Sequence, residues 1–348
     1  MIRQEITVPL ELECGARLES ARLVFHTSGA RAGRVIWICH ALTANSDPED
    51  WWPDMVGPGR TIDTERDYVI CVNMLGSAYG SEGPARENPA TGKPWMLDFP
   101  DVTIRDTVNS FIAVRKYLGI NKIDLLIGAS NGGFHAVEWA IMEPDIFRRC
   151  LFLCTAPRIS PFLGATVEAQ RMALEADPSF REARSLDGGR EGLKCARAQA
   201  LISYRCFKGY GLTQAEPDPD VLFARRVASY ERYQGEKLVR RGFDAYSYYC
   251  LCNALDSHNA GRGRGGVQAA LKTIKAQVTV LAVDTDQLFP PAEGRTWTAW
   301  IPGARYIEIS SDFGHDGFLL EIPKISALII MNHACPLEVV DDYYKFNI

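Results

Sequence analysis

Ser130 lies between two glycines in Gly128-Ala129-Ser130-Asn131-Gly132. The apolar run "IDLLI" leads into it, and "GGFHAVEWAIM" leads away with Phe134, Val137 and Ile141 at helical spacing. A serine in a sharp strand-to-helix turn has strained backbone angles, and its neighbours must lack bulk for strand and helix to pack closely. The hydroxyl then projects above the sheet, and the N–H of the next residue points at the same spot. The bare G-x-S-x-G pattern arises by chance in a chain with 29 glycines, so its context carries the reading. A hairpin at Asn131-Gly132 is the competing reading, but the residues that follow do not alternate as a strand would. The chemistry expected of Ser130 is nucleophilic.

A serine hydroxyl needs a base, and the base needs an orienting acid. In a sheet of this kind the chain order is serine, then aspartate or glutamate, then histidine, each on a loop after a strand. Of six histidines, His26 and His40 precede the serine, His135 is carried away from it by the helix, and His258 falls in a helical segment. His333 lies towards the C-terminus and reads as a surface or packing residue. His315, in "SSDFGHDGFLLE", follows the last strand-like run and is the expected base. The acid should follow "VTVLAV", where "VDTDQLFPP" offers Asp284 and Asp286, and spacing does not separate them. An oxyanion needs two donors. The backbone N–H of Asn131 is one, and Leu42, in "WICHALTAN" after an earlier strand, is the expected second, with His40 shaping that loop.

The elements that must position these groups are legible as apolar runs: 34–40, 68–74, 123–128, 149–155, 278–283 and 304–309. Most are apolar on both faces, as strands of a covered parallel sheet are. Helical patterns at 107–119 and 132–142 lie between them, which argues an α/β fold with a mostly parallel, doubly wound sheet. From 158 to 265 the alternation gives way to charged helical stretches, read as a helical lid above a core formed by 1–157 and 266–348. Within it, "GRGRGG" fits G-x-G-x-x-G literally but follows a helical segment, so it lacks the setting of a dinucleotide site. As a basic loop it could still meet the phosphates of a coenzyme.

The chain has 348 residues, is 47% hydrophobic and carries a formal net charge of -5. A mildly acidic balance argues against nucleic-acid binding through bulk charge. No run reaches the roughly 18 apolar residues of a membrane span, and the N-terminus has acidic residues where a secretory peptide needs an apolar region. Ten cysteines show no metal-binding spacing, and Cys39, Cys71, Cys150 and Cys154 lie within strand-like runs. Buried free thiols and a cytoplasmic location are therefore expected.

The stretches "CHALTANSDPEDWWPDMVGPGRTID", "FPDVTIRDTVNSF", "SYERYQGEKLVRRGFDAYSY", "ALDSHNAGRGRGG", "DQLFPP" and "GHDGFLLE" together resemble the homoserine O-acetyltransferase family. The resemblance runs from about residue 10 to 325. It implies an α/β-hydrolase fold and a role in methionine biosynthesis. It also implies acetyl transfer from acetyl-CoA to L-homoserine through an acyl-serine, without metal or bound cofactor, and a homodimer formed through the lid. The family's aspartate stands in a D-x-L-F-P context, which points to Asp286. An amino-acid acceptor requires groups for a carboxylate and an ammonium. Arg197 and Tyr204, seven apart and so on one helix face, match the family's acceptor-binding or pocket-lining pair, and Asp316 matches the residue that receives the amino group. There are departures: "GASNGG" stands where the family has G-G-S-M-G-G, Glu82 replaces a small hydroxyl residue, and "TAPRISPF" differs from the usual run. All three are expected in or near the pocket. A succinyl donor, a serine acceptor, an esterase using water and a non-catalytic binding protein are the alternatives.

Overall fold

The computed structural model describes residues 1–334; the tail "CPLEVVDDYYKFNI" and the side chain of His333 lie outside the described residues. Ten strands are present among them. β1 (Ile2–Glu11), β2 (Arg17–Thr27), β3 (Val35–Cys39) and β4 (Tyr68–Val72) form the first half of the sheet. The short strands β5 (Glu87–Asn88) and β6 (Lys93–Pro94) make a separate ribbon. β7 (Ile123–Ala129), β8 (Phe147–Leu153), β9 (Gln277–Val283) and β10 (Arg305–Ile309) complete the eight-stranded sheet in the order β1-β2-β4-β3-β7-β8-β9-β10. All neighbours from β4 to β10 run parallel, whereas β2 is antiparallel to both β1 and β4.

The central strands are buried on both faces, and successive side chains feed two cores. Trp37 and Leu126 face the larger core with Phe111, Phe134, Val137 and Trp139. Ile36, Ile38, Leu125 and Ile127 face the other, with Phe318, Ile325 and Ile329. Period-2 alternation of two apolar faces is what a helix-covered parallel strand requires. After α1 (Pro48–Trp51), the crossover helices are α2 (Ile104–Tyr117) and α3 (Asn131–Met142). α2 begins three residues before the sequence pattern suggests because Thr103 and Asp106 form a reciprocal capping box. Trp37 and Trp139 meet edge-to-face at 4.8 Å, locking β3 to α3.

The N-terminal hairpin falls outside the expected strands. Its pattern is half exposed, with Ile6, Val8 and Leu10 alternating against polar residues, and opposite charges such as Arg22 and Glu5 pair across it. Between β8 and β9 the chain forms α4 (Pro161–Glu175), α5 (Pro178–Glu182), α6 (Arg190–Tyr204), α7 (Phe207–Gln214), α8 (Arg226–Arg240) and α9 (Ala245–Asp256). α4 packs on α6 and α9, and α6 packs on α8. α10 (Val267–Leu271), α11 (Pro291–Thr298), α12 (Gly317–Leu320) and α13 (Ile322–Ala334) follow.

Candidate active site

Ser130 sits between the end of β7 and the start of α3 with φ 55° and ψ −127°, a backbone conformation that non-glycine residues rarely hold. Packing enforces it. A Cβ on Gly132 would lie 2.0 Å from the Cys39 carbonyl oxygen, and one on Gly128 would lie 2.5 Å from Ala136 Cβ. The turn is pinned further by Thr155 Oγ1, which donates to the Ser130 carbonyl at 2.9 Å.

The long-range partners converge on this hydroxyl. Ser130 Oγ donates to His315 Nε2 at 2.8 Å, and His315 Nδ1 donates to Asp286 Oδ2 at 2.7 Å. Asp286 Oδ1 accepts from the backbone N–H groups of Leu288 (2.8 Å) and Phe289 (3.1 Å), so the carboxylate is held at both oxygens. Asp284 is exposed and accepts from Ser311 N–H, a loop-capping role. Geometry thus places Asp286, and not Asp284, behind the histidine. Thr285 Oγ1 accepts from Gly314 N–H at 3.1 Å and ties the two loops together.

Both His315 and Asp286 are 3% exposed. Burial opposes the charged imidazole, but the Asp286 carboxylate in contact with it, helped by Asp316, outweighs that and raises His315 above the ordinary histidine value. A base must be neutral to accept a proton. kcat/KM should therefore fall as pH drops through an acid limb lying above about 6.5, measurable in a pH series with the substrate varied. A limb well below that value would contradict the assignment of His315 as the base.

The other histidines whose side chains are described are committed elsewhere. His40 accepts from Met74 N–H and donates to the Ala41 carbonyl; burial pushes it down to about 4, so it stays neutral and shapes the loop carrying Leu42. His258 donates to the Ala156 carbonyl and stacks on Phe134. His26 bonds Ser46, and His135 is buried beside Phe111.

Leu42 and Asn131 line the cavity at Ser130 with Phe134, Leu163, Val167 and Tyr204. The Asn131 amide is buried there; its Nδ2 contacts Met74 Sδ at 3.2 Å. Tyr204 ends α6 with its ring 5.8 Å from the His315 ring, and the Arg197 guanidinium lies 5.6 Å from the Tyr204 ring. Burial pushes the Tyr204 phenol up to about 12, so it remains a neutral hydroxyl. Burial also raises Asp316, against the pull of Arg205, His315 and Arg197.

Three features differ from expectation. Asp316 is ion-paired to Arg205 at 2.9 Å, a partner that the motifs do not indicate although it directly follows Tyr204. Glu82 stands away from the cavity lining and under the N-terminal hairpin, where its carboxylate accepts from Arg22 N–H; the larger side chain fills a structural position. The arginines of "GRGRGG" are ion-paired, Arg262 to Glu13 at the surface and Arg264 to the buried Glu138. The α4 residues Leu163, Thr166, Val167 and Gln170 line the cavity without any motif to announce them, because only tertiary packing brings α4 over Ser130.

A serine, an aspartate and a histidine in this chain order, hydrogen-bonded over a mostly parallel sheet, mark an α/β-hydrolase-fold enzyme, and the model of the alpha/beta hydrolase fold family matches residues 34–322. The chain is 40% identical over 339 residues to a homoserine O-acetyltransferase of Chlorobaculum tepidum, covering 93% of this chain and 92% of the relative. It belongs to the homoserine O-acetyltransferase family. Among solved structures, a homoserine O-acetyltransferase from Staphylococcus aureus superposes with a TM-score of 0.80 at 27% identity, over 96% of this chain and 95% of the other. Esterase E22 superposes with a TM-score of 0.83 at 23% identity, over 95% of this chain and 100% of the other, which is a likeness of fold.

Proposed function

We propose that this protein transfers an acetyl group from acetyl-CoA to the hydroxyl of L-homoserine, in two steps through Ser130, as its family membership indicates. His315 takes the Ser130 proton as Oγ attacks the thioester carbonyl, with Asp286 holding the imidazole in the required tautomer. The tetrahedral oxyanion rests on the N–H groups of Leu42 and Asn131. The C–S bond breaks, the thiolate recovers the proton from His315, and coenzyme A leaves. Homoserine then gives its hydroxyl proton to His315 while its oxygen attacks the acyl carbon, and Ser130 departs with that proton. No metal or bound cofactor takes part in these steps.

The single observation that carries the reading is the Ser130–His315–Asp286 chain, with hydrogen bonds of 2.8 and 2.7 Å. The cationic Arg197 beside Tyr204 supports an amino-acid acceptor, because a guanidinium fork suits a carboxylate. Asp316 receives the ammonium and shares its charge with Arg205.

The helices between β8 and β9 serve as the lid, and residues 158–265 bound it. Phe207 (93% exposed), Leu222 (84%) and Phe223 (63%) are exposed apolar side chains of this segment, which is consistent with a homodimer through the lid. Free buried thiols such as Cys39 and Cys150 favour the cytoplasm.

Arg197→Ala separates the two half-reactions. Loss of a charged hydrogen-bond partner, about 1.5–3 kcal/mol, should weaken homoserine use roughly 10- to 100-fold. Coenzyme A release in a single burst without homoserine should be little changed. Equal losses in both half-reactions would remove Arg197 from acceptor binding. A steady turnover of acetyl-CoA that homoserine does not accelerate would favour the esterase reading.

A further inference from the structure

Cys154 follows β8 directly and has φ 46°, one of few non-glycine residues with a positive φ. Such a conformation is strained and persists only where its surroundings enforce it. Its backbone N–H is held by the Leu281 carbonyl at 2.8 Å, its side chain is 1% exposed, and its Sγ lies within 4.8 Å of ligating atoms of both Asp286 and His315. The carboxylate already accepts two backbone N–H groups at one oxygen and His315 at the other. An ionised carboxylate has about four acceptor sites, which leaves room for one further donor.

We propose that Cys154 is a positioning residue that donates its S–H to Asp286 and moderates the negative charge facing His315. Burial, and then the neighbouring carboxylate, keep the thiol well above its ordinary value, so it stays protonated and able to donate. A protonated thiol is also a poor metal ligand, so the same cluster reads as a hydrogen-bond relay and not as a metal site. The backbone N–H groups already fix the carboxylate's orientation, so the thiol acts mainly on its charge. The other polar groups facing His315 are Ser130, in the turn after β7, Asp316 next to it in sequence, and Tyr204 at the end of α6, while the rings of Phe289 and Phe318 pack against it; Arg197 within α6 and Arg205 just after it act on Asp316.

The inference rests on the triad assignment. Removing the thiol leaves a more localised charge on Asp286, which favours the imidazolium and moves the acid limb of kcat/KM upward. In Cys154→Ala, activity near pH 6 should fall roughly 3- to 10-fold while the alkaline plateau is retained. Cys154→Ser, which restores a donor, should return the limb to its original position. A Cys154→Ala limb that stays in place overturns the proposal, whether or not the plateau drops; so does a Cys154→Ser limb as far displaced as that of alanine. Retention of the acyl-enzyme on Ser130 in both variants separates failure of this inference from failure of the triad itself.

Discussion

Ser130→Ala is expected to eliminate the acyl-enzyme and to lower acyl transfer by about 10^4- to 10^6-fold. The size follows from what is lost. Without Oγ no covalent intermediate forms, and the remaining oxyanion donors and substrate contacts can assist only direct attack by the acceptor. The fold should tolerate the change, because alanine is smaller than serine and the turn is enforced by Gly128 and Gly132 against Ala136 and Cys39. Purified variant incubated with acetyl-CoA and analysed as peptides by mass spectrometry should carry no acetyl group on the peptide that spans the substituted position. A normal level of adduct on that peptide would contradict the assignment.

Asp286→Asn is expected to cost about 10^4-fold in kcat with little change in overall structure. Asparagine is nearly isosteric and can keep the Leu288 and Phe289 N–H bonds at its carbonyl oxygen, but it can then present an N–H to His315 Nδ1. The imidazole would turn to its other tautomer and lose the lone pair facing Ser130. The charge that raises His315 would go as well, so any residual activity should have a lower acid limb than the wild-type. Residual kcat within tenfold of wild-type would show that the carboxylate is dispensable. The same change at Asp284 should be nearly silent, since that residue only caps Ser311.

Most of the parallel sheet was legible because a strand covered on both faces must be apolar throughout. β3, β4, β7, β8 and β9 fall on largely apolar runs of that kind, whereas β10 (RYIEI) is an edge strand with only partly buried or exposed residues. The hairpin β1–β2 has one face open to polar neighbours, so its signal is weaker, although Leu18, Ala21, Leu23 and Phe25 do mark the buried side of β2. The turn at Ser130 could be read because glycine is required by close approach, a constraint that leaves a trace in residue type. Asp284 and Asp286 could not be told apart by spacing, since what distinguishes them is which backbone N–H groups each captures and which loop each faces. The ion pair of Arg205 with Asp316 and the cavity wall supplied by α4 belong to the same class. They depend on how separate helices settle over the sheet, and no local period records that.

The lid is coupled to the base by contact. The backbone at Tyr204–Cys206 approaches so closely that a Cβ on Gly314 would meet it at 2.9 Å, Cys206 Sγ bonds the Asp312 carbonyl, and Lys208 pairs with Asp312. The loop carrying His315 is therefore braced from above by the helix that carries Arg197 and Tyr204. In the proposed reaction, acceptor binding and proton transfer would share this support.

The most direct test is a single-turnover chase of the wild-type protein. Acetyl-CoA is added without acceptor, the acylated peptide is identified, and the isolated acyl-enzyme is then mixed with homoserine, serine or buffer alone. One acetyl group on Ser130, discharged far faster by homoserine than by serine or water with O-acetylhomoserine as product, is the result expected. An adduct on another residue, or discharge at the same rate whether or not homoserine is present, would contradict the account.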